Sequence, residues 1–197
     1  MQRLTDFTSY ADALTHYSKD ALWALFDGDR DNFNIAHECV DRHAAGDRTA
    51  LRIAHASGQD EIISFAELAS RSSQVAHYLV SQGVQKGDRI AVMIEPSLPF
   101  YCVMFGAMKA GAVAVPMFTP IAPDVFPLRV VDSAPKILFT NAEKQHEAVA
   151  SSAERIALAV AHFLDGLLIL PSELTSQITI ISLALQQDPP CRPPLVL

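Results

Sequence analysis

Glycine is scarce in this chain, with eight residues in 197, and no G-x-G-x-x-G turn occurs to close backbone N–H groups around a phosphate. A dinucleotide-binding first turn is therefore absent. Cysteine is scarcer still: Cys39, Cys102 and Cys191 are an odd number at no metal-ligand or disulfide-framework spacing. That usage suits a reducing cytosol, and a cytoplasmic location is expected. Basic residues are in deficit, 15 Lys+Arg against 22 Asp+Glu for a formal charge of −7, so the basic face of a nucleic-acid or anionic-membrane binder is missing. Long clean apolar runs are missing too. Residues 98–118 are interrupted by Lys109, Pro99 and Pro116, and residues 156–170 hold His162 and Asp165, whereas a membrane-spanning helix needs about 20 apolar residues. Asp6 stands where a signal peptide would begin its apolar stretch.

Half of the residues are hydrophobic, and a chain of this length buries roughly 70% of its unfolded surface. A packed core needs no disulfide or metal. Residues 1–31 read as an appended amphipathic helix, with Leu14, Tyr17, Leu22, Trp23, Leu25 and Phe26 near helical spacing and a stop at Asp27-Gly28-Asp29. Two β-prone runs, 49–53 and 61–65, flank the turn Ser57-Gly58-Gln59-Asp60 and predict a hairpin. Ser64 and Glu67 have the spacing of a capping box. The helix they open presents Leu68, Val75, Ala76 and Leu79 on one side and ends at Gly83.

From there strands and helices alternate. Residues 89–94 are apolar without alternation, as in a strand buried on both faces of a parallel sheet. Ser97 starts a helix that tolerates Pro99 in its first turn and stops at Gly111. Strand 112–115 closes at Pro116, a short helix runs up to Ala134, and a third strand spans 136–140. Asn141 is expected to cap a long helix bearing Val149, Ile156, Val160 and Phe163 on one side. Residues 167–170 and 178–185 are further β-prone runs that could extend the sheet. After residue 155 the only charged residues are Asp165, Glu173, Asp188 and Arg192, and four prolines crowd 188–197. The order implies an α/β fold: a partial, doubly wound, mainly parallel sheet with helices on both faces. Its expected divisions are a helical extension 1–31, an α/β subdomain 32–187 and a Pro-rich irregular tail 188–197.

A search for chemistry finds little. Gly106 and Gly111 have the outer spacing of a P-loop, but Ala112-Val113 follows where Lys-Ser/Thr belongs, and the segment leads from a helix into a strand. Both glycines read as packing and capping positions. His37-Glu38-Cys39, Asp41 and His43 form the densest cluster, yet a separation of six does not put the two histidines on one helix face. A helix with an apolar edge of Ile35, Ala36 and Val40 and an otherwise solvated face accounts for it. Glu95 follows a buried strand, where α/β enzymes place functional groups, but it stands alone. Ser97 lacks a base and a G-x-S-x-G elbow, and reads as a helix cap.

Three stretches together carry a family resemblance: residues 32–43, NFNIAHECVDRH; residues 63–68, ISFAEL; and residues 83–118, GVQKGDRIAVMIEPSLPFYCVMFGAMKAGAVAVPMF. Arg129, Asp132-Ser133 and the strand Lys136 to Thr140 continue the pattern. The chain resembles the N-terminal portion of the AMP-forming acyl-CoA synthetases, or acid–CoA ligases, of the adenylate-forming superfamily, with the acetyl- and medium-chain branch nearest. The resemblance implies a ligase of fatty-acid metabolism that uses ATP, Mg and coenzyme A. It activates a carboxylic acid as an acyl-adenylate with release of pyrophosphate, then transfers the acyl group to coenzyme A.

The family's working motifs do not occur here. Missing are the Ser/Thr/Gly-rich phosphate loop ending in Lys, the aromatic-Gly-x-Thr-Glu segment, the ribose-holding Asp and the C-terminal domain with its adenylation Lys. Leu183-Ala184-Leu185-Gln186-Gln187 resembles the strand before the phosphate loop, and Asp188-Pro189-Pro190 follows in its place. No catalytic, cofactor-binding or metal-binding residue is therefore assigned. The expectation is a truncated or frameshifted N-terminal fragment, inactive alone. The alternative is a non-catalytic assembly module that pairs with a separately encoded ligase remainder. A flavodoxin-like binder would require the phosphate-cradling first turn that is absent.

Overall fold

The computed structural model describes residues 3–55, 58–117 and 125–140, and the backbone of three later strands between 157 and 169. A 3-10 turn, Leu4–Asp6, precedes α1 (Tyr10–Thr15) and α2 (Lys19–Trp23), and none of the three contains a buried residue. The continuous helix expected in 1–31 is thus broken. Ser18 is extended and its Oγ accepts the Ala21 N–H at 3.0 Å, so a new helix starts where the apolar spacing alone suggested continuation. α3 (Ile35–Cys39) is capped by Asn34, whose Oδ1 accepts from Ala36 at 2.9 Å and whose Nδ2 donates to the Met108 carbonyl at 3.0 Å.

Strands β1 (Thr49–Ala54) and β2 (Asp60–Ser64) form the expected antiparallel hairpin. α4 (Phe65–Ser81) begins at Ser64, whose hydroxyl accepts the Glu67 N–H at 3.1 Å. The Glu67 carboxylate accepts instead from Arg71 Nε at 2.9 Å, one turn along the helix. Gly83 ends this helix at φ +73°, a conformation that glycine adopts without strain.

The central sheet follows. Strands β3 (Arg89–Met93), β4 (Val113–Pro116), β5 (Ile137–Thr140) and β6 (Ala157–Val160) lie parallel in the order β4-β3-β5-β6. Between them run α5 (Leu98–Lys109) and α6 (Phe126–Ser133). The chain moves one way from β3 to β4 and back across β3 to β5, so right-handed crossovers put α5 and α6 on opposite faces. The buried side chains agree. Ile90, Val92, Ile137 and Phe139 pack with α4 and α5, while Ala91, Met93 and Leu138 pack with Phe126 and Val130 of α6. This is the doubly wound α/β arrangement expected from the sequence.

The helix expected after Asn141 is corrected by the structure. Val160 lies in β6, and Phe163 lies in β7 (His162–Leu164), which pairs antiparallel with β8 (Leu167–Ile169). Asn141, Val149 and Ile156 lie outside the described residues. A short apolar run reads alike as buried strand or buried helix, and here pairing with β5 decides. Residues 167–169 are a strand as expected, but they pair with β7 and do not extend the central sheet. The runs 178–185 and 188–197 lie outside the described residues.

Candidate functional site

In an open parallel sheet the ligand crevice lies beyond the C-terminal strand ends where the strand order reverses. Here that point is the β3–β5 pair, where Met93 stands opposite Thr140. Ile94, Glu95, Pro96 and Ser97 leave β3 at this place. Ser97 caps α5: its hydroxyl accepts the Phe100 N–H at 3.5 Å and donates to the Glu95 carbonyl at 2.7 Å. The hydroxyl is committed to the backbone, as the absence of a nucleophile elbow implied. Glu95 is exposed and Thr140 is fully buried. Among the described residues the crevice thus offers one solvent-facing carboxylate, Glu95.

The chemically dense segment 37–43 is dispersed by the fold. His37 Nε2 lies 3.2 Å from Asp27 Oδ2, whereas His43 Nδ1 lies 3.1 Å from Arg48 Nη2 and its ring packs 5.4 Å from Phe65. Cys39 is exposed and free. The expected apolar edge of this helix needs correction. Ala36 and Val40 are buried, but Ile35 is 51% exposed, and Glu38 turns inward at 6% exposure. An Asn34 cap and a five-residue helix rotate Glu38 toward the body, where three donors meet it. Its carboxylate accepts the Asp27 and Gly28 N–H groups at 2.9 and 2.8 Å and Arg42 Nη1 at 2.5 Å. Burial by itself would raise the Glu38 carboxyl, and these donors more than reverse the effect, leaving it below the usual carboxylate range.

Sequence reasoning also missed Lys109. Its Nζ donates to Asp41 Oδ1 at 2.6 Å, Ser73 Oγ at 2.9 Å and the Ala69 carbonyl at 3.0 Å. Burial lowers the Lys109 pKa, and Asp41 opposes part of that shift. The one available signal was a lysine in the last turn of an otherwise apolar helix. Gly106 and Gly111 take the structural roles expected of them. A Cβ on Gly106 would stand 2.6 Å from Val75 Cβ, and Gly111 adopts φ +71° after α5.

Among the described residues, no group of three His, Cys, Asp or Glu could hold a metal ion. An apolar depression of about 310 Å³ lies among Leu4, Tyr10, Ala13, Leu14 and Tyr17, on the N-terminal segment and not at the strand ends. No helix among the described residues is long and apolar enough to cross a membrane.

Residues 39–189 match the family described as AMP-binding enzyme. The chain belongs to this family. Among its relatives, the acetyl-coenzyme A synthetase of Streptomyces avermitilis is 36% identical over 111 residues, covering 54% of this chain and 17% of that protein. The acetyl-coenzyme A synthetase of Halorhodospira halophila is 31% identical over 143 residues, or 68% of this chain and 22% of that protein. The Brucella canis acyl-CoA synthetase structure superposes with a TM-score of 0.70 at 25% identity, over 81% of this chain and 30% of that one. ATP-bound MatB from Rhodopseudomonas palustris gives 0.57 at 27% identity, over 66% and 25%. The fold is thus the N-terminal part of the adenylate-forming fold. The chain spans about a fifth of the length of these two acetyl-coenzyme A synthetases and 30% of the Brucella canis chain.

Proposed function

We propose that this chain supplies the N-terminal sheet of a cytoplasmic, ATP-dependent, AMP-forming acid–CoA ligase and does not adenylate a carboxylate by itself. The match of residues 39–189 to AMP-binding enzymes supports the first half of this reading. The strand ends at the β3–β5 switch point support the second. The described residues there do not fit a nucleotide with its magnesium ion: Ser97 is bound to backbone, and Glu95 has no second carboxylate in a metal-holding group. Both lysines described with partners are engaged elsewhere, Lys109 with Asp41 and Lys136 with Asp88.

The ligase reaction joins the carboxylate to the α-phosphate with loss of pyrophosphate, and the coenzyme A thiol then displaces AMP. Charge on the phosphates must be stabilised by aligned cationic and N–H donors, which the described part of this chain does not assemble. ATP–pyrophosphate exchange tests the reading directly. The purified chain is expected to give no exchange above blank with acetate, propionate, butyrate or longer acids, and exchange above blank would overturn it.

A second reading, an assembly module that pairs with a separately encoded ligase remainder, is favoured by α6. Leu128 and Val131 on its outer side are 69% and 66% exposed, an apolar surface suited to cover by further protein. Co-expression with a polypeptide carrying the phosphate loop and C-terminal domain separates the readings. Exchange restored in the mixture supports the module, and its absence leaves the first reading alone.

A further inference from the structure

The N-terminal segment lies on the molecule without burying a residue in its first three helical turns, and its Tyr10, Leu14 and Tyr17 are all more than half exposed. Its attachment to the body is concentrated at one place. Arg42 donates to the Leu25 carbonyl at 3.0 Å, pairs with Asp27 Oδ1 at 3.1 Å and holds Glu38 Oε2 at 2.5 Å. Glu38 in turn takes the Asp27 and Gly28 N–H groups. His37 adds a contact to the other oxygen of Asp27. The turn that aims those two N–H groups depends on Gly28, where a Cβ would stand 2.4 Å from the Asn32 carbonyl oxygen.

The gripping side is fixed. Ala36 and Val40 of the same segment are fully buried, Asn34 is tied to the end of α5, and Asp41 is tied to Lys109. The gripped side has little else to hold it: an edge-on aromatic trio of Trp23, Phe26 and Phe33, with ring centroids 5.2 to 5.9 Å apart. The AMP-binding match begins at residue 39, so Arg42 lies inside the shared family region and the gripped segment lies outside it.

We propose that residues 3–26 form a releasable strap, locked to the sheet domain by the Glu38–Arg42 pair that grips the backbone of Leu25, Asp27 and Gly28. Opening the lock frees the strap as a unit while the central sheet and its helices stay folded. The physical basis is the difference in anchoring. A segment with no fully buried side chain has only its local clasp and the aromatic trio to lose, so its opening free energy lies far below that of the sheet.

Trp23 is the single tryptophan and sits in the strap, which makes release directly visible. In the full chain, Arg42→Met and Glu38→Gln are expected to shift Trp23 emission to the red. Chymotryptic cleavage between Tyr10 and Phe26 should speed up at least tenfold, with the cooperative melting of the sheet domain unchanged. Native-state hydrogen exchange on the unaltered chain gives an independent reading should a variant fold poorly. The Asp27 and Gly28 amides should exchange through an opening with a smaller urea dependence than the amides of Val92 and Phe139. Exchange of all four only through global unfolding, or unchanged cleavage in folded variants, would overturn the proposal.

Discussion

Lys109 sits at the end of the apolar α5 with 9% of its side chain exposed, and its three ammonium donors meet three acceptors, Asp41 and two on α4. Replacing it removes the partner of Asp41, whose side chain is only 17% exposed. A half-buried carboxylate left without its cation is costly, and Lys109→Met is expected to destabilise the fold by about 3 kcal/mol, read from the urea midpoint. Adding Asp41→Asn should recover part of the loss, and an additive double variant would contradict the pairing. Cysteine reactivity offers a second residue-level contrast. Cys102 is fully buried and its thiol is pushed up to about 12, chiefly by that burial, whereas Cys39 is exposed. Alkylation at pH 8 should therefore modify Cys39 within minutes and reach Cys102 only on unfolding, as peptide mass mapping would show. Neither contrast was legible in the sequence, where all three cysteines look alike and Lys109 served only to argue against a membrane span.

At the scale of elements, the α4–α5 contact turns on Gly106. A methyl there would meet Val75 Cβ at 2.6 Å and the Ser72 carbonyl at 2.9 Å, so two helices covering one face of the sheet would have to separate. Gly106→Ala is expected to cost about 1–3 kcal/mol. Gly46→Ala meets nothing within 4 Å and carries only the strain of φ +87°, a cost of about 1 kcal/mol. Equal losses in a thermal denaturation series would contradict the packing argument. α6 shows its two sides as sharply: Val130 is fully buried against Ala91, Met93 and Leu138, and Val131 is 66% exposed. Val130→Ala should cost about 2 kcal/mol, and Val131→Lys should stay within about 0.5 kcal/mol of the parent. Helix starts were well marked in the sequence because Ser64 and Ser97 act on N–H groups three residues away. The helix drawn through Val160 and Phe163 failed because no local signal separates a short apolar strand from an apolar helix.

For the whole molecule, acid sensitivity follows from carboxylates that the fold has paired. Asp88 accepts from Lys136 at 2.8 Å and from the Gln85 N–H at 2.8 Å, linking the turn before β3 to the residue before β5. Lys136 and then the Gln85 amide hold its carboxyl below the usual range. A depressed folded value means that the unfolded chain binds the proton more readily. Stability from this pair is therefore complete above about pH 4 and is lost as pH falls through the depressed value. Asp88→Asn should flatten part of the acid limb in a plot of melting temperature against pH and leave the slope between pH 6 and 8 unaltered. The sheet edge is also a property of the assembled molecule. On β4 the Val113 N–H is turned to Asp88 and the Met117 N–H to Val92, on the β3 side, while Pro116 has no N–H to offer. A short edge blunted in this way resists strand addition from that side.

The sequence by itself determined the α/β class, the helix caps at Ser64 and Ser97, the glycine stops at 83 and 111, and membership of a family of AMP-binding enzymes. These depend on hydropathy period, turn chemistry and motif spacing, all of which act over a few residues or survive as a pattern along the chain. Only the tertiary structure decided that 157–160 and 162–164 are strand residues, that Glu38 turns inward to grip the N-terminal segment, and that Lys109 is buried with Asp41. The Lys109–Asp41 bond spans 68 residues, and the Glu38 clasp requires a turn at Gly28 to point two N–H groups at one carboxylate. Such pairings are set by where the sheet brings separate segments together, and no local pattern records them.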